Sequence, residues 1–145
     1  MELILDYKKW SCGNGPFWQD KAPAKNRHGV GKTSLHNEKG YSCCIGQFMK
    51  QEGHTASFLK GKGAPYDCKL HEHPNKPRST FTKKSFISLD NSTLAENAMK
   101  INDDENTTIA QKITQLNKIF SKNGHKLSFK NFPQWVKKEA EVNYK

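Results

Sequence analysis

Thr108-Ile109-Ala110-Gln111-Lys112-Ile113-Thr114-Gln115-Leu116-Asn117-Lys118-Ile119-Phe120-Ser121-Lys122-Asn123-Gly124, followed closely by Leu127-Ser128-Phe129, is the stretch from which the fold is read. Thr108 and Gln111 stand at capping-box spacing, so each side chain can satisfy a backbone N–H that the first helical turn leaves open. Ile109, Ile113, Leu116, Ile119 and Phe120 recur at helical spacing and fall on one face. Gly124 supplies the stop. Asp103, Asp104 and Glu105 precede the start, while Lys118 and Lys122 lie in the last turns, which suits the helix dipole at both ends. Leu127 and Phe129 then alternate with polar neighbours, as a half-buried strand does. An amphipathic helix handing directly to a strand places both on one core, the mark of an α+β domain.

Working outward, Thr93 and Glu96 form a second capping-box pair ahead of Leu94, Ala98 and Ile101. Beyond the closing strand, Phe132, Trp135 and Val136 offer apolar anchors for a short helix or docked tail over 131–145. Toward the N-terminus, Leu3-Ile4-Leu5 reads as an opening strand that Trp10 and Cys12 continue after Tyr7. Ser42 is a suitable N-cap for a helix through Cys43, Cys44, Ile45, Phe48 and Met49, and Gly53 ends it. Between these elements, Gly13 to Arg27 carries no period and reads as surface loop. Residues 60–84 form a long basic loop punctuated by Gly61, Gly63, Pro65, Pro74 and Pro77, and Phe86 to Leu89 reads as a strand. The expectation is one α+β domain over 1–145, with a small antiparallel sheet packed against two or three helices and a long basic loop.

A chain of 145 residues is long enough to bury a core without covalent staples. Hydrophobic residues make up 34%, which implies a modest core with long polar connections. The formal net charge of +10 favours an anionic partner. That charge is uneven: residues 1–89 hold 15 basic and 7 acidic side chains, whereas residues 90–145 hold 9 and 7, so the anion is expected to meet the N-terminal part. The four cysteines stand at positions 12, 43, 44 and 68, and Cys43 and Cys44, being adjacent, cannot pair without severe strain. No apolar leader follows Met1, so a cytoplasmic location, reduced thiols and no membrane association are expected.

The richest chemistry lies in Arg27-His28-Gly29-Val30-Gly31-Lys32-Thr33. Glycines permit close backbone approach and leave N–H groups free, and the flanking charges draw an anion to them. Asn26 to Thr33 nearly matches the phosphate loop of nucleotide hydrolases, with Asn26 in place of the first glycine. The context does not: no buried strand precedes it, and Gly40 interrupts before a helix can follow. A phosphate or pyrophosphate clamp without hydrolysis fits better, with Arg27, His28, Lys32 and Thr33 supplying charge and donors, Gly29 and Gly31 close approach, and Trp18 or Tyr41 a stacking surface.

Two other constellations compete. Cys68-x-x-His71-x-His73 brings three zinc-ligating side chains within six residues, with Cys12 or Cys43 available to complete a structural site. Lys60, Lys62, Lys69, Lys76, Arg78, Lys83 and Lys84, with Phe58, Tyr66 and Phe81 interleaved, suit non-specific binding of nucleic acid. Against that, the chain has two arginines only and shows no recognition helix. No catalytic residues are assigned, since no Ser-His-Asp arrangement follows from spacing and helix-dipole compensation already accounts for Asp103, Asp104 and Glu105. The adjacent cysteines read as packing residues, although a thiol at a helix start can also be activated.

Gly29-x-Gly31, Leu35, Gly40-Tyr41, Cys43-Cys44-Ile45-Gly46 and, much later, Ile101-Asn102-Asp103-Asp104 before an amphipathic helix resemble a family of small uncharacterised proteins of tailed phages and prophages. In that family a Gly-x-Gly loop precedes a Cys-Cys-Leu-Gly helix start, and an Asn-Asp pair precedes the C-terminal helix. The resemblance covers about half of the chain in two blocks. Ile45 replaces the usual leucine, and the basic loop and the Trp135 tail fall outside the pattern. It brings no activity with it, but implies a phage origin and an accessory role directed at the host, in the host cytoplasm. The expectation is a homo-oligomeric protein that sequesters a phosphate-bearing small molecule, such as a nucleotide-derived defence signal. The alternative is an interaction protein that inhibits a host enzyme or binds nucleic acid non-specifically through its basic loop, its partner then being nucleic acid or an acidic host protein.

Overall fold

The computed structural model describes residues 2–13, 25–64 and 92–145. Within them the order is strand β1 (Glu2–Asp6), a single 3-10 turn (Tyr7–Lys9), helices α1 (Cys44–Gln51), α2 (Ala56–Leu59), α3 (Ser92–Asp103) and α4 (Ile109–Lys122), strand β2 (Lys126–Lys130) and helix α5 (Gln134–Glu139). The α+β class holds; the described residues contain five helices, where two or three were expected, and a two-stranded sheet. The expected strand at Phe86 to Leu89, and the basic loop beyond Ala64, lie outside the described residues.

The sheet is parallel, not antiparallel. β1 and β2 pair from Glu2 opposite Lys126 to Asp6 opposite Lys130. Alternating apolar residues mark a buried face but carry no sign of strand direction, whereas connectivity does. These strands lie near opposite ends of the chain with the helices between them, and such a crossover delivers a parallel partner.

Both outer edges of the two-stranded sheet are covered, which a small sheet needs if its free N–H and C=O groups are not to recruit another chain. On the β1 side, Gln47 and Gln51 of α1 stand one helical turn apart and act as a substitute strand. The Asp6 N–H donates to Gln47 Oε1 at 2.8 Å while Gln47 Nε2 donates to the Asp6 carbonyl at 3.0 Å. The Ile4 N–H donates to Gln51 Oε1 at 2.7 Å, and Gln51 Nε2 returns to the Ile4 carbonyl at 2.5 Å. On the β2 side, the C-terminal segment supplies the partner: Phe129 N–H donates to the Asn143 carbonyl and Lys145 N–H to the Phe129 carbonyl, both at 2.8 Å. Ser128, on the polar side of the alternation, is buried because this segment covers it.

α4 forms as its sequence dictates. Thr108 caps it, both halves of the capping box with Gln111 are made, and Gly124 follows its end with φ +82°. Ile109, Ile113, Leu116 and Phe120 are buried, and Phe120 meets Phe48 of α1 edge to face at 5.1 Å between centroids. α3 is helical already at Ser92, so Thr93 lies inside it rather than at its cap. α1 starts one residue later than the Ser42 cap predicts: Cys43 is the N-cap, its Sγ accepting from Gly46 N–H at 3.4 Å, and Gly53 follows the C-cap with φ +106°. Gly46 is set by close packing, since a Cβ there would stand 1.8 Å from the Leu35 carbonyl oxygen. Trp10 and Cys12 do not extend β1; the 3-10 turn intervenes, and they form isolated bridges to Ser42 and His28. Phe132 and Val136 are buried, seating α5 on the core as a short docked helix.

The α3–α4 connection is held by a buried cation. Lys112 is fully buried, and its Nζ donates to the Asp104 carbonyl, to the Thr107 carbonyl at 3.0 Å and to Thr107 Oγ1 at 2.8 Å, so all three ammonium donors are used. The same connection receives the start of the glycine turn, where Ile109 N–H donates to the Lys25 carbonyl and Asn26 Nδ2 to the Glu105 carbonyl, each at 2.5 Å. No helix among the described residues is long and apolar enough to cross a membrane.

Candidate functional site

The turn from His28 to Tyr41 is organised by Asn37, a residue that sequence spacing did not single out. Its Nδ2 donates to the carbonyls of Val30 and Lys32 at 2.7 and 2.9 Å, and its Oδ1 accepts from the N–H groups of Lys39 and Tyr41 at 2.9 and 3.0 Å. With four bonds made, the buried carboxamide is saturated, and the chain on either side of it is fixed. Because carbonyl and N–H of one peptide unit point in opposite directions, the N–H groups of Gly31 and Thr33 are turned away from Asn37. Among the described residues, none of the N–H groups from Gly29 to Ser34 donates to another protein group.

The two glycines are required where they stand. Gly29 has φ +102° and would place a Cβ 2.6 Å from the Trp10 carbonyl oxygen; Gly31 has φ +83° and would place one 2.8 Å from Asn37 Nδ2. Left-handed backbone and close approach coincide, so the turn tolerates no side chain at either place.

Beside this turn lies a cleft of about 690 Å³, in the range of small-molecule sites. Gly31, Lys32, Thr33 and Ser34 form one wall, Asn37, Glu38 and Lys39 another, and Lys60, Gly61 and Gly63 the third. Lys60 reaches it from the end of α2, because the chain there pairs with His36: Leu35 N–H donates to the Lys62 carbonyl at 2.9 Å and Gly61 N–H to the His36 carbonyl at 3.1 Å. Three lysines and one glutamate thus border the cleft, giving it a positive balance at neutral pH.

The predicted ligand residues divide. Gly31, Lys32 and Thr33 line the cleft, and Lys32 is exposed to it. The Thr33 hydroxyl is engaged internally, donating to the Gly13 carbonyl at 3.2 Å and lying 3.1 Å from Ser11 Oγ. His28 does not line the cleft. Its ring lies against Tyr7 at 3.7 Å between centroids, with Nε2 2.7 Å from the Tyr7 carbonyl oxygen. That carbonyl can only accept, so the proton sits on Nε2, and burial holds the His28 pKa below its ordinary value. A neutral His28 brings no charge to an anion at neutral pH. Arg27, Gly29 and Tyr41 are likewise absent from the lining, and Trp18 lies outside the described residues. Lys39 and Lys60, which complete the cleft, were not assigned to it from sequence.

No helix follows Thr33, so the near-match to a nucleotide-hydrolase loop ends at the motif itself. Cys12, Cys43 and Cys44 are buried and free. Burial pushes the Cys43 thiol up to about 12 and the Cys12 and Cys44 thiols well above their ordinary range, against any activation at the helix start. Among the described residues no three His, Cys, Asp or Glu side chains stand together to hold a metal; Cys68, His71 and His73 lie outside them. Comparison with protein-family models, with curated proteins and with solved structures gives no match to this chain.

Proposed function

We propose that this chain captures a phosphate-bearing small molecule in the cleft beside the glycine turn and holds it without chemical change. The observation that carries the reading is the meeting of Lys32, Lys39 and Lys60 around a cavity of nucleotide size, next to a run of N–H groups that no described protein group occupies. Oxyanions gain most where charged donors and unspent backbone N–H groups converge. The resemblance of the glycine turn and of Cys43-Cys44-Ile45-Gly46 to small phage proteins supports an accessory role in a host cell, and the size and charge of the cleft suit a nucleotide-derived cargo.

A thermal-shift screen against nucleotides, cyclic dinucleotides and ADP-ribose derivatives tests it. A compound at a hundredfold its Kd stabilises by about 2.7 kcal/mol, which for a chain of this size raises Tm by roughly 5–10 °C. Intact ligand should be recovered after heating the complex. A screen without any such shift, or recovery of a cleaved product, contradicts the reading.

A further inference from the structure

A second cationic group stands where α1 ends, apart from the glycine turn. Lys50 is half-buried, with Nζ 2.8 Å from Ser42 Oγ and 3.2 Å from His36 Nδ1. An ammonium can only donate, so His36 Nδ1 offers its lone pair, and the neutral ring carries its proton on Nε2. Nε2 has no protein partner among the described residues, nor has the third Lys50 donor. Ser42 is fully buried and fixed by its backbone, its N–H donating to the Lys9 carbonyl at 2.9 Å and its carbonyl accepting from Ser11 N–H at 2.8 Å. His36 is fixed by its bridge to Lys60.

No carboxylate among the described residues forms an ion pair with Lys50. What surrounds it is more positive charge. Burial and then Lys9 lower the Lys50 pKa, while burial, then Lys50 and Lys60, lower that of His36. The buried Cys43 thiol is the remaining titratable group acting on Lys50, and burial keeps it protonated. Gathering like charges around a half-buried ammonium costs free energy, and an oxyanion in their midst offsets that cost.

We propose that Lys50 and His36, positioned by Ser42 and flanked by Lys9 and Lys60, form a second oxyanion site that takes a phosphate group. The third Lys50 N–H and the His36 Nε2–H are the donors; Ser42 Oγ and His36 Nδ1 aim the ammonium. Lys60 also borders the cleft, but the donors of this site, Lys50 and His36, do not line it, so the two sites are read by different signals.

The test is an NMR titration of the whole chain with inorganic phosphate at constant ionic strength, with sodium chloride as the matched control. The His36 ring signals should move saturably with phosphate and not with chloride. The His36 pKa should rise as the bound anion offsets Lys50 and Lys60. Amide signals of Gly31 and Thr33 report cleft occupancy independently in the same spectra. Lys50→Gln should weaken the His36 response at least about tenfold, the loss of one charge-assisted bond. Exposed Lys9, whose removal leaves the core intact, should weaken it about twofold as Lys9→Gln, and Lys138→Gln on α5 should leave it unchanged. An absent or chloride-matched response, or one undiminished in Lys50→Gln, overturns the proposal. So does a His36 response to a single-stranded oligonucleotide but not to phosphate, which would assign the site to a nucleic-acid backbone.

Discussion

The indole Nε1 of Trp10 donates to Oδ1 of Asn102 at 2.7 Å, a bond between side chains 92 positions apart and both fully buried. The same oxygen accepts from the Cys44 N–H at 3.0 Å, and Asn102 Nδ2 donates to the Ser11 carbonyl at 3.1 Å and to Asp103 Oδ1 at 3.0 Å. One carboxamide thus ties α3 to the segment after β1 and to the first turn of α1. Asn102→Leu leaves the Trp10 indole N–H and the Cys44 N–H buried without acceptors. Each orphaned donor costs about 1–3 kcal/mol, so a loss of roughly 2–6 kcal/mol is expected in urea unfolding. A loss under ~1 kcal/mol would show that the network relaxes or admits water.

The glycines should separate by what a Cβ meets. At Gly46 it would lie 1.8 Å from the Leu35 carbonyl oxygen, and at Gly29 2.6 Å from that of Trp10, both backbone atoms that cannot move alone. Gly40, at φ +85°, has open space around it. Gly46→Ala is expected to cost more than about 4 kcal/mol or abolish folding, whereas Gly40→Ala costs about 1–2 kcal/mol for its left-handed backbone. Soluble yield and denaturant midpoints of the three alanine variants decide the order.

Cys12, Cys43 and Cys44 should resist alkylation in the native chain. All three are buried, and Cys43, with its pKa near 12, is almost wholly protonated at neutral pH. Peptide mapping after brief iodoacetamide treatment should find these three unmodified without denaturant and modified with it. Rapid native labelling of Cys43 would mean that the start of α1 opens readily.

Acid should loosen the end of the C-terminal segment at its ion pair with Glu2, while its backbone bonds to Phe129 remain. Glu2 accepts from Lys145 Nζ at 2.6 Å and from Lys126 Nζ at 3.2 Å, and these hydrogen bonds, Lys145 first, hold its pKa at about 2 against an ordinary 4.5. A lowered carboxylate pKa stabilises above the unfolded value and loses that contribution as pH falls through the folded one. The tie is therefore present above about pH 4.5 and fades between 4.5 and 2. Tyr144 and Lys145 amide signals should shift across that window, and in Glu2→Gln the transition should be absent.

Much of the scaffold was readable because its signals are local. The Thr108–Gln111 box, the Ile109-to-Phe120 stripe and Gly124 lie within one segment, and α4 follows them residue by residue. The sense of the sheet was not, because β2 meets β1 across almost the whole chain and nothing in Leu127 or Phe129 encodes direction. The site divides the same way. Gly31, Lys32 and Thr33 announce themselves by spacing, but Lys60 arrives through a bridge to His36, and Asn37 works through its bonds rather than any motif. The basic neighbours of His28 in sequence suggest a cation at the ligand, but stacking on Tyr7 and a bond to the Tyr7 carbonyl draw it inward instead. Asn102 stood out only through a family resemblance, since its partners lie at positions 10, 11 and 44.

The cleft is the centre of the functional account, and calorimetric titration of ADP-ribose and a cyclic dinucleotide into the wild-type chain and into Lys32→Gln, Lys39→Gln and Lys60→Gln tests it most directly. At least one compound should bind the wild type saturably, and each substitution should weaken that binding about tenfold, since a hydrogen bond to a charged group is worth about 1.5–3 kcal/mol. No heat of binding from either compound, or an affinity that all three lysine variants retain, would contradict it.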